Sequence, residues 1–373
     1  MSLLARRARA VVVALCCALV VPAPAHAKPW LDLDRVLTKA MRHTHVPAMG
    51  VLVLRDGAVV DQAVRGVRRT DSPDPVQEGD AWMIGSTSKV QTVALIARLV
   101  ELGTLSWEAP LSAMLPDASG TRRPEYAQVT LVQLLGHRAG LPENVSDMAF
   151  IEAFMTDTRS LPEQRLDYVA RALSEAPTSP PGTDWSYSNT GFLIAAAIAE
   201  RATGRTYEAL MRDEVFGPLG MTTAGFGAPP AGQPSGHAAG APVGVSNADM
   251  FAPAGNLHMS LGDWARFNAD QLAGERGHGT LLTPEDYARM QTPTAPGASG
   301  LDWGIQPSIA GRIGPAWVHG GSDGFWFAYV VLFPNSGNGV LVVDNADEAM
   351  GGDKAAMAAL KAVLPWLAPT GDK

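Results

Sequence analysis

Residues 84–102 read IGSTSKVQTVALIARLVEL, and the part from Val90 to Leu102 is apolar on nearly every face. A helix that is apolar all round is a buried helix, and the glycine at Gly103 is a typical residue for ending it. Ser86 and Lys89 stand three residues apart at its start, where positions i and i+3 share one face. The stretch therefore predicts a lysine beside a serine hydroxyl at the N-terminus of a buried helix.

This pair predicts nucleophilic catalysis. Partial desolvation would lower the pKa of Lys89, so that a neutral amine could accept the proton of Ser86. The N–H groups at the helix N-terminus would also face a developing oxyanion. The alternative is a helix cap with a solvated lysine, but the chain contains only six lysines against 23 arginines, so a lysine in front of an apolar helix is unusual here.

A second candidate site is Tyr187-Ser188-Asn189, which precedes an apolar run starting at Phe192. A tyrosine and an amide two residues apart in extended chain point the same way. A phenol in that place can relay a proton, and an amide can hold a substrate carbonyl. The alternative is a capped loop that packs an aromatic side chain.

A third candidate is His319-Gly320-Gly321-Ser322, after the strand-like residues 316–318. Glycines beside a strand allow a ligand to approach the backbone closely; the alternative is an ordinary turn. Residues 320–324 also match G-x-S-x-G, the nucleophile elbow of α/β-hydrolases, which would make Ser322 the nucleophile. Two observations count against the elbow: Phe325–Phe333 resembles a strand rather than the required helix, and no histidine follows His319.

Strand patterns lie at both ends of the chain and helix patterns lie between them. Asp56-Gly57 and residues 334–337 are turn signals that each join two strand-like runs. The helical patterns are at residues 31–42, 131–135, 162–175, 192–203, 207–216, 261–273 and 355–364. The sequence therefore predicts an α/β (α+β) fold, in which one antiparallel sheet is built from both termini and flanked by helices. The predicted domains are a discontinuous α/β domain, 28–104 with 300–373, and an inserted, mainly helical domain, 105–299.

Residues 1–27 have the layout of a secretory signal peptide. A basic start with three arginines precedes the apolar run Ala10–Val21, and Ala25-His26-Ala27 is a small-x-small cleavage site. The segment predicts an exported chain, periplasmic or secreted, without a permanent membrane anchor after cleavage. The alternative is a membrane-anchored N-terminus.

Composition excludes several classes of protein. Both cysteines, Cys16 and Cys17, fall in the predicted signal peptide, which argues against a disulfide scaffold and a Cys-based zinc site. The net charge of −8 disfavours nucleic acid as a partner. No phosphate loop or dinucleotide fingerprint occurs, and no cofactor or metal is expected. Loop or core roles are predicted for the scattered histidines His43, His45, His137, His237, His258 and His278.

Taken together and in this order, the three sites resemble the motifs of the serine β-lactamase/DD-peptidase superfamily, in particular its class C β-lactamase-like branch. Residues 86–89 match S-x-x-K, residues 187–189 match Y-x-N, and residues 319–321 stand where that branch often has H-x-G. Residues 134–141 are similar to a further family segment, and the resemblance covers roughly residues 30 to 368.

The resemblance implies a β-lactamase/transpeptidase-like fold and a role for each motif. Ser86 would be the acylated nucleophile, and Lys89 and Tyr187 would share proton transfer. Asn189 would position the substrate amide, and His319 would occupy the place of a cation that recognises a substrate carboxylate. The N–H groups of Ser86 and Ser322 would form the oxyanion hole.

The sequence departs from the family pattern at two positions, because His319 replaces a lysine and Gly320 replaces a threonine. Both departures weaken the site that would recognise a substrate carboxylate. The expected function is an exported serine hydrolase that acts on a small-molecule or peptide acyl substrate: a β-lactam, a D-Ala-type peptide or a small ester. The alternative from another class is a penicillin-binding or sensor protein on the same fold, which acylates without turning over.

Overall fold

The computed structural model describes residues 31–245, 247–293 and 300–368. The strands are β1 (Ala48–Arg55), β2 (Ala58–Gly66), β3 (Ala81–Met83), β4 (Gly225–Phe226), β5 (Gly236–Ala238), β6 (Ala241–Gly244), β7 (Leu257–Ser260), β8 (Gly304–Ile309), β9 (Arg312–Ser322), β10 (Phe327–Phe333) and β11 (Asn338–Asp344). The helices are α1 (Leu33–Ala40), α2 (Ser88–Glu101), α3 (Leu111–Met114), α4 (Leu131–Leu135), α5 (Met148–Ala153), α6 (Leu161–Ser174), α7 (Asn189–Thr203), α8 (Tyr207–Met211), α9 (Ala252–Gly255), α10 (Leu261–Glu275), α11 (Pro284–Gln291) and α12 (Gly352–Leu367).

Six antiparallel strands form the main sheet, in the order β2-β1-β11-β10-β9-β8. Its two N-terminal strands join the four C-terminal ones through the β1–β11 pair, where Val51 lies opposite Val342. Asp56 and Gly57 both have positive φ, as the tight β1–β2 turn requires. The predicted sheet from both termini is confirmed.

Helices cover this sheet. Helix α12 packs on β10 and β11, and α10 packs on β1 and β10. Every residue of β1 except Arg55 is buried, which requires cover on both faces of the strand. A fully buried Val or Leu side chain stabilises the fold by about 1.5–3 kcal/mol, so this central strand is a major part of the core.

The chain between the sheet's two parts is mainly helical, and α2 and α7 lie at its centre. Eleven consecutive residues of α7, Thr190–Glu200, are buried. Helix α2 is buried from Ser88 to Ala97, as its apolar pattern predicts, and it packs against α7 and α9. Two of the three sequence motifs therefore lie at the N-termini of adjoining buried helices. The exact division into domains at residues 104 and 299 stays a prediction.

Two local expectations are corrected. The third motif is not a turn after a strand, because His319–Ser322 belongs to β9 and pairs with β10. The last helix does not end at residue 364, where its predicted pattern ends, since α12 continues through Pro365 to Leu367. The predicted signal peptide lies outside the described residues. Within the described ranges, no helix is both long enough and apolar enough to cross a membrane.

Candidate active site

The candidate nucleophile, Ser86, lies in a 3-10 turn, Gly85–Thr87, that leads directly into α2. Two hydroxyls hold this turn: Thr87 Oγ1 donates to the Ile84 carbonyl over 2.7 Å, and Ser88 Oγ donates to the Gly85 carbonyl over 2.7 Å. Gly85 has φ +51°, and a Cβ there would lie 2.4 Å from the Ser322 nitrogen. The turn therefore requires glycine before the serine.

The Ser86 hydroxyl lies between the two predicted proton-transfer groups. Lys89 Nζ is 3.2 Å from Ser86 Oγ, and the Tyr187 hydroxyl donates to the same oxygen over 2.7 Å. Lys89 is fully buried, and its ammonium also donates to the Ala254 carbonyl. The structure thus brings together Ser86, Lys89 and Tyr187, although Tyr187 is 101 residues from Ser86 in sequence.

Burial shifts the pKa values of both Lys89 and Tyr187. It lowers the pKa of Lys89 to about 8, against the opposing charges of Asp302 and Glu143. Burial also raises the pKa of Tyr187, and the charge of Asp302 raises it further. A neutral amine is therefore accessible near neutral pH, while the phenol keeps its proton. The arrangement can supply a base and a proton donor to one hydroxyl.

Asn189 is the first residue of α7, one residue after the helix cap. Ser188 Oγ accepts the N–H of Gly191 over 3.3 Å, so the predicted capped loop is also present. The Asn189 side-chain amide donates to Asn144 Oδ1 over 3.2 Å and lines the cleft that contains Ser86. The amide is therefore fixed at the cleft wall, where a substrate can reach it.

The end of β9 passes against the nucleophile turn. A Cβ on Gly321 would lie 2.2 Å from the Ile84 carbonyl oxygen and 2.8 Å from the Ser86 nitrogen, so only glycine allows this approach. Because of this approach, the backbone nitrogens of Ser86 and Ser322, two residues that line the cleft, lie close together. A Cβ on Gly320 would instead meet the Tyr329 ring at 2.9 Å.

His319, by contrast, belongs to a buried network. Its Nε2 is 2.8 Å from Asp302 Oδ2, and the other Asp302 oxygen is 2.9 Å from Nε2 of His137. The Nδ1 of His137 accepts the backbone N–H of Ser188 over 3.0 Å, so its Nε2 carries the proton that Asp302 accepts. The His137 ring also lies against Tyr187, with ring centroids 4.9 Å apart.

Asp302 is the anchor of this network, and the sequence patterns did not reveal it. Burial by itself would raise the pKa of this carboxyl, but the charge of His319 and the hydrogen bonds from both histidines lower the pKa to about 2. Asp302 lies outside every helix and strand, where no periodicity marks it. His137 has the core role predicted for it, with a specific partner that its position in sequence did not indicate.

The cleft around Ser86 has a volume of about 430 Å³. Tyr187, Asn189 and Ser322 line it, whereas His319 and Gly320 line a neighbouring cavity of about 540 Å³. The cleft's remaining lining residues are Glu143, Asn144, Met148, Ile151, Glu152, Met155, Asn247, Ala248, Phe251, Ala254, Gly255 and Asp323.

The fold and the ordered motifs agree with a known family. A family model described as Beta-lactamase matches residues 33–364. The chain belongs to the beta-lactamase family. The match includes Ser86, Lys89, Tyr187 and residues 319–322. It does not extend to the predicted signal peptide.

Two curated relatives and a solved structure illustrate this family membership. The chain is 26% identical over 341 residues to "Unguisins hydrolase ungD'" of Aspergillus campestris (strain IBT 28561), covering 84% of this chain and 61% of that protein. It is 30% identical over 203 residues to "Esterase EstB" of Burkholderia gladioli, covering 52% of this chain and 50% of EstB. The chain thus spans less than two thirds of the length of either relative.

The solved structure is of an octameric penicillin-binding protein homologue from Pyrococcus abyssi. The TM-score is 0.73 at 25% identity, with 89% of this chain and 77% of that chain covered. The predicted β-lactamase/transpeptidase-like fold is confirmed. The elbow interpretation of Ser322 is wrong, because Ser322 ends a strand and the next element, β10, is also a strand.

Proposed function

We propose that this protein is a serine hydrolase that forms an acyl-enzyme on Ser86. The observation that carries the proposal is the placement of one serine oxygen 3.2 Å from a buried lysine amine and 2.7 Å from a buried phenol. A nucleophile within hydrogen-bond reach of its base is the arrangement that covalent catalysis requires.

In the proposed reaction, neutral Lys89 takes the proton of Ser86 as Oγ attacks the acyl carbonyl. The pKa of about 8 makes the neutral amine available near neutral pH. The Tyr187 phenol, whose pKa burial raises, gives a proton to the leaving group and recovers one from Lys89. Water then hydrolyses the acyl-enzyme, with the same two groups moving the proton.

The backbone supplies the oxyanion site. The N–H groups of Ser86 and Ser322 are fixed in a turn and a strand, so they need no reorganisation as charge develops. Asn189, whose side-chain amide lines the same cleft, positions the substrate amide where the acyl donor has one. The proposed steps use only side chains and backbone of this chain, and they require neither a metal ion nor an organic cofactor.

The proposed substrates are small esters, D-Ala-type peptides and β-lactams. Small esters are favoured, because they need no carboxylate recognition. His319 stands at the position expected to recognise a carboxylate, and it is hydrogen-bonded to Asp302 instead. A hydrolase and an esterase by name are among the relatives, which supports acyl hydrolysis without naming the substrate. The proposed partner is thus a small-molecule or peptide acyl donor rather than a nucleic acid.

The proposed location is outside the cytoplasm, periplasmic or secreted. The support is the sequence of residues 1–27, with its basic start, apolar run and Ala25-His26-Ala27 site. Fractionation of expressing cells and N-terminal sequencing test it. A chain starting at Lys28 outside the cytoplasm is expected; an intact N-terminus in the cytoplasm would overturn the proposal.

Labelling tests the nucleophile directly. Ser86→Ala should abolish labelling by a fluorophosphonate probe and by a fluorescent penicillin. Ser322→Ala is the matched control, because its proposed contribution is a backbone N–H that the substitution keeps. Labelling that survives Ser86→Ala and disappears in Ser322→Ala would overturn the assignment.

Turnover separates a hydrolase from a protein that only acylates. The purified protein is offered p-nitrophenyl acetate, nitrocefin and a D-Ala-D-Ala peptide, and product is followed beyond one equivalent. Steady turnover of at least one substrate is expected. A burst of one equivalent followed by no turnover would instead support the penicillin-binding or sensor alternative.

A further inference from the structure

The charged side chains that line the Ser86 cleft are all acidic. They are Glu143, Glu152 and Asp323, and none of the described lining residues is Lys or Arg. Lys89 is fully buried and bonded to Ser86 and Ala254, so it is not a surface charge of the cleft. A charged group of a bound substrate therefore meets a negative potential at the cleft walls, where these carboxylates lie.

His319 does not offset this potential. Its Nε2 contacts Asp302 and its Nδ1 contacts the Gly320 carbonyl, each over 2.8 Å. Both partners are acceptors, so making both bonds together requires a proton on each ring nitrogen, and the charge of that ring is compensated by Asp302. A substrate anion thus meets no uncompensated cation at this position.

Glu143 has its backbone held at the start of α7, and its side chain lines the Ser86 cleft. Its backbone carbonyl accepts the N–H groups of Asn189 and Thr190, over 2.9 and 3.2 Å, at the start of α7. Burial is the largest influence on the pKa of Lys89 and of Tyr187, yet the charge of Glu143 raises the pKa of both. The charge of the Glu143 carboxylate therefore reaches the two groups that are proposed to transfer protons.

We propose that the cleft selects acyl donors by charge, accepting a cationic group near the scissile carbonyl and rejecting an anionic one. Glu143 and Glu152 are the specificity-determining residues, and Asp302 withdraws His319 from substrate recognition. The proposal rests on acyl transfer by Ser86 and deepens it by naming a substrate class. Donors such as amino esters and amides with a free ammonium group fit this charge pattern, whereas carboxylated donors do not.

Three p-nitrophenyl esters of similar size test the selection. They are the 4-(trimethylammonio)butanoate, its neutral isostere 5,5-dimethylhexanoate and the anionic 4-sulfobutanoate. The kcat/KM value should fall in that order at low salt. The cationic ester should exceed the neutral one by about tenfold, the effect of one or two exposed ion pairs. The preference should shrink as salt screens the glutamates.

Variants assign the preference to residues. The double substitution Glu143→Gln with Glu152→Gln should bring the cationic-to-neutral ratio close to one, with the neutral ester reporting the state of the catalytic groups. Glu78→Gln, at an exposed glutamate outside the cleft, should leave the ratio unchanged. Asp302→Asn should raise the relative rate on the sulfonate ester.

The outcomes separate the two proposals. If Ser86→Ala abolishes hydrolysis but the wild-type protein shows no preference, or prefers the sulfonate, the charge selection is wrong and the serine hydrolase stands. An unchanged ratio in the double variant would also overturn the selection. If none of the three esters is hydrolysed while nitrocefin or the D-Ala-D-Ala peptide is, only the selection fails. If hydrolysis survives Ser86→Ala, the proposed function fails and the selection fails with it.

Discussion

Lys89 and Asp302 are both buried, yet their surroundings drive them to different charge states. Burial lowers the pKa of Lys89 to about 8, which favours the neutral amine. Burial acts on Asp302 in the same sense, against its charge, but two histidines prevail and lower its pKa to about 2. One group becomes a candidate base and the other stays an ionised anchor.

The difference lies in the partners. Lys89 Nζ has a hydroxyl and a carbonyl as neighbours, which solvate an ammonium without matching its charge. Asp302 has a histidine on each carboxylate oxygen. Desolvation determines the direction in which the pKa of a buried group shifts, unless hydrogen bonds to its charged form or nearby opposite charges outweigh it. Reactive and structural ionisable groups can therefore coexist in one site, according to what bonds to each.

Removing the lysine should have the largest effect. Lys89→Met keeps the apolar stem and removes the base, so kcat for ester hydrolysis should fall by about 10³-fold. Lys89→Arg should not rescue it, because a guanidinium stays protonated. Steady-state kinetics with p-nitrophenyl acetate measure the loss, and Lys354→Met, at an exposed lysine, is the control. A loss of only a few-fold in Lys89→Met would remove Lys89 from the base role.

Removing the phenol hydroxyl should have the next largest effect. Tyr187→Phe keeps the ring contact with His137 and deletes the proton donor to Ser86, so kcat should fall by about 10²-fold. Tyr126→Phe makes the same change at a buried hydroxyl that has no hydrogen-bond partner within the described ranges, and it should leave kcat unchanged. Equal rates for the two variants would show that the Tyr187 hydroxyl is dispensable.

Neutralising Asp302 should reduce the stability of the fold more than it reduces the rate of hydrolysis. Asp302→Asn removes the charge that both histidines face, and urea unfolding should show a loss of about 2–4 kcal/mol at pH 7. Asp34→Asn, which breaks an exposed pair with Arg65, should cost less than about 1 kcal/mol.

The pH dependence of that loss follows from the pKa. The folded pKa of Asp302, about 2, lies below its unfolded value, so its stabilisation is present above about pH 4 and is lost as pH falls toward 2. The wild-type and Asp302→Asn unfolding curves should therefore converge in acid. Curves that stay equally far apart at every pH would contradict the ionised anchor.

The smallest expected effect is a shift in the pH dependence of the rate, because the charge of Asp302 acts on Lys89. The rate should rise with pH through an apparent pKa near 8, because Lys89 must lose its proton to act as base. The charge of Asp302 raises the pKa of Lys89, so Asp302→Asn should move the rising limb to lower pH. Profiles of kcat/KM test this, with Asp34→Asn as the unshifted control. A shift to higher pH would mean that the two charges are not coupled as described.

Local signals carried much of the fold prediction. The Asp56-Gly57 turn, the buried helix after Lys89 and the helical pattern at 261–273 each depend on neighbours within a few residues, and all three are present. The end of the last helix and the turn interpretation of the third motif were wrong. In both cases contacts across the fold extended a regular element beyond its local signal: β9 through its pairing with β10, and α12 through its packing on the sheet.

The residues of the candidate site also divide into those that local sequence signals could reveal and those that only the tertiary structure brings together. The Ser86–Lys89 pair could be predicted because helix geometry sets the distance between positions i and i+3. Tyr187 and Ser322 were candidates from their own motifs, but their place beside Ser86 was proposed through a resemblance, since nothing local relates them to Ser86. Asp302 could not be found, because its partners are 165 and 17 residues away and it belongs to no periodic element.

Sequence alone determined which groups could react: a serine and a lysine on one helical turn. Only the tertiary structure decided their chemical state. Burial made Lys89 a candidate base, and two histidines from separate segments kept Asp302 charged. The acidic lining of the cleft arose from residues 143, 152 and 323, which are brought together by packing. Bond geometry is local, whereas desolvation and charge depend on everything packed around a group.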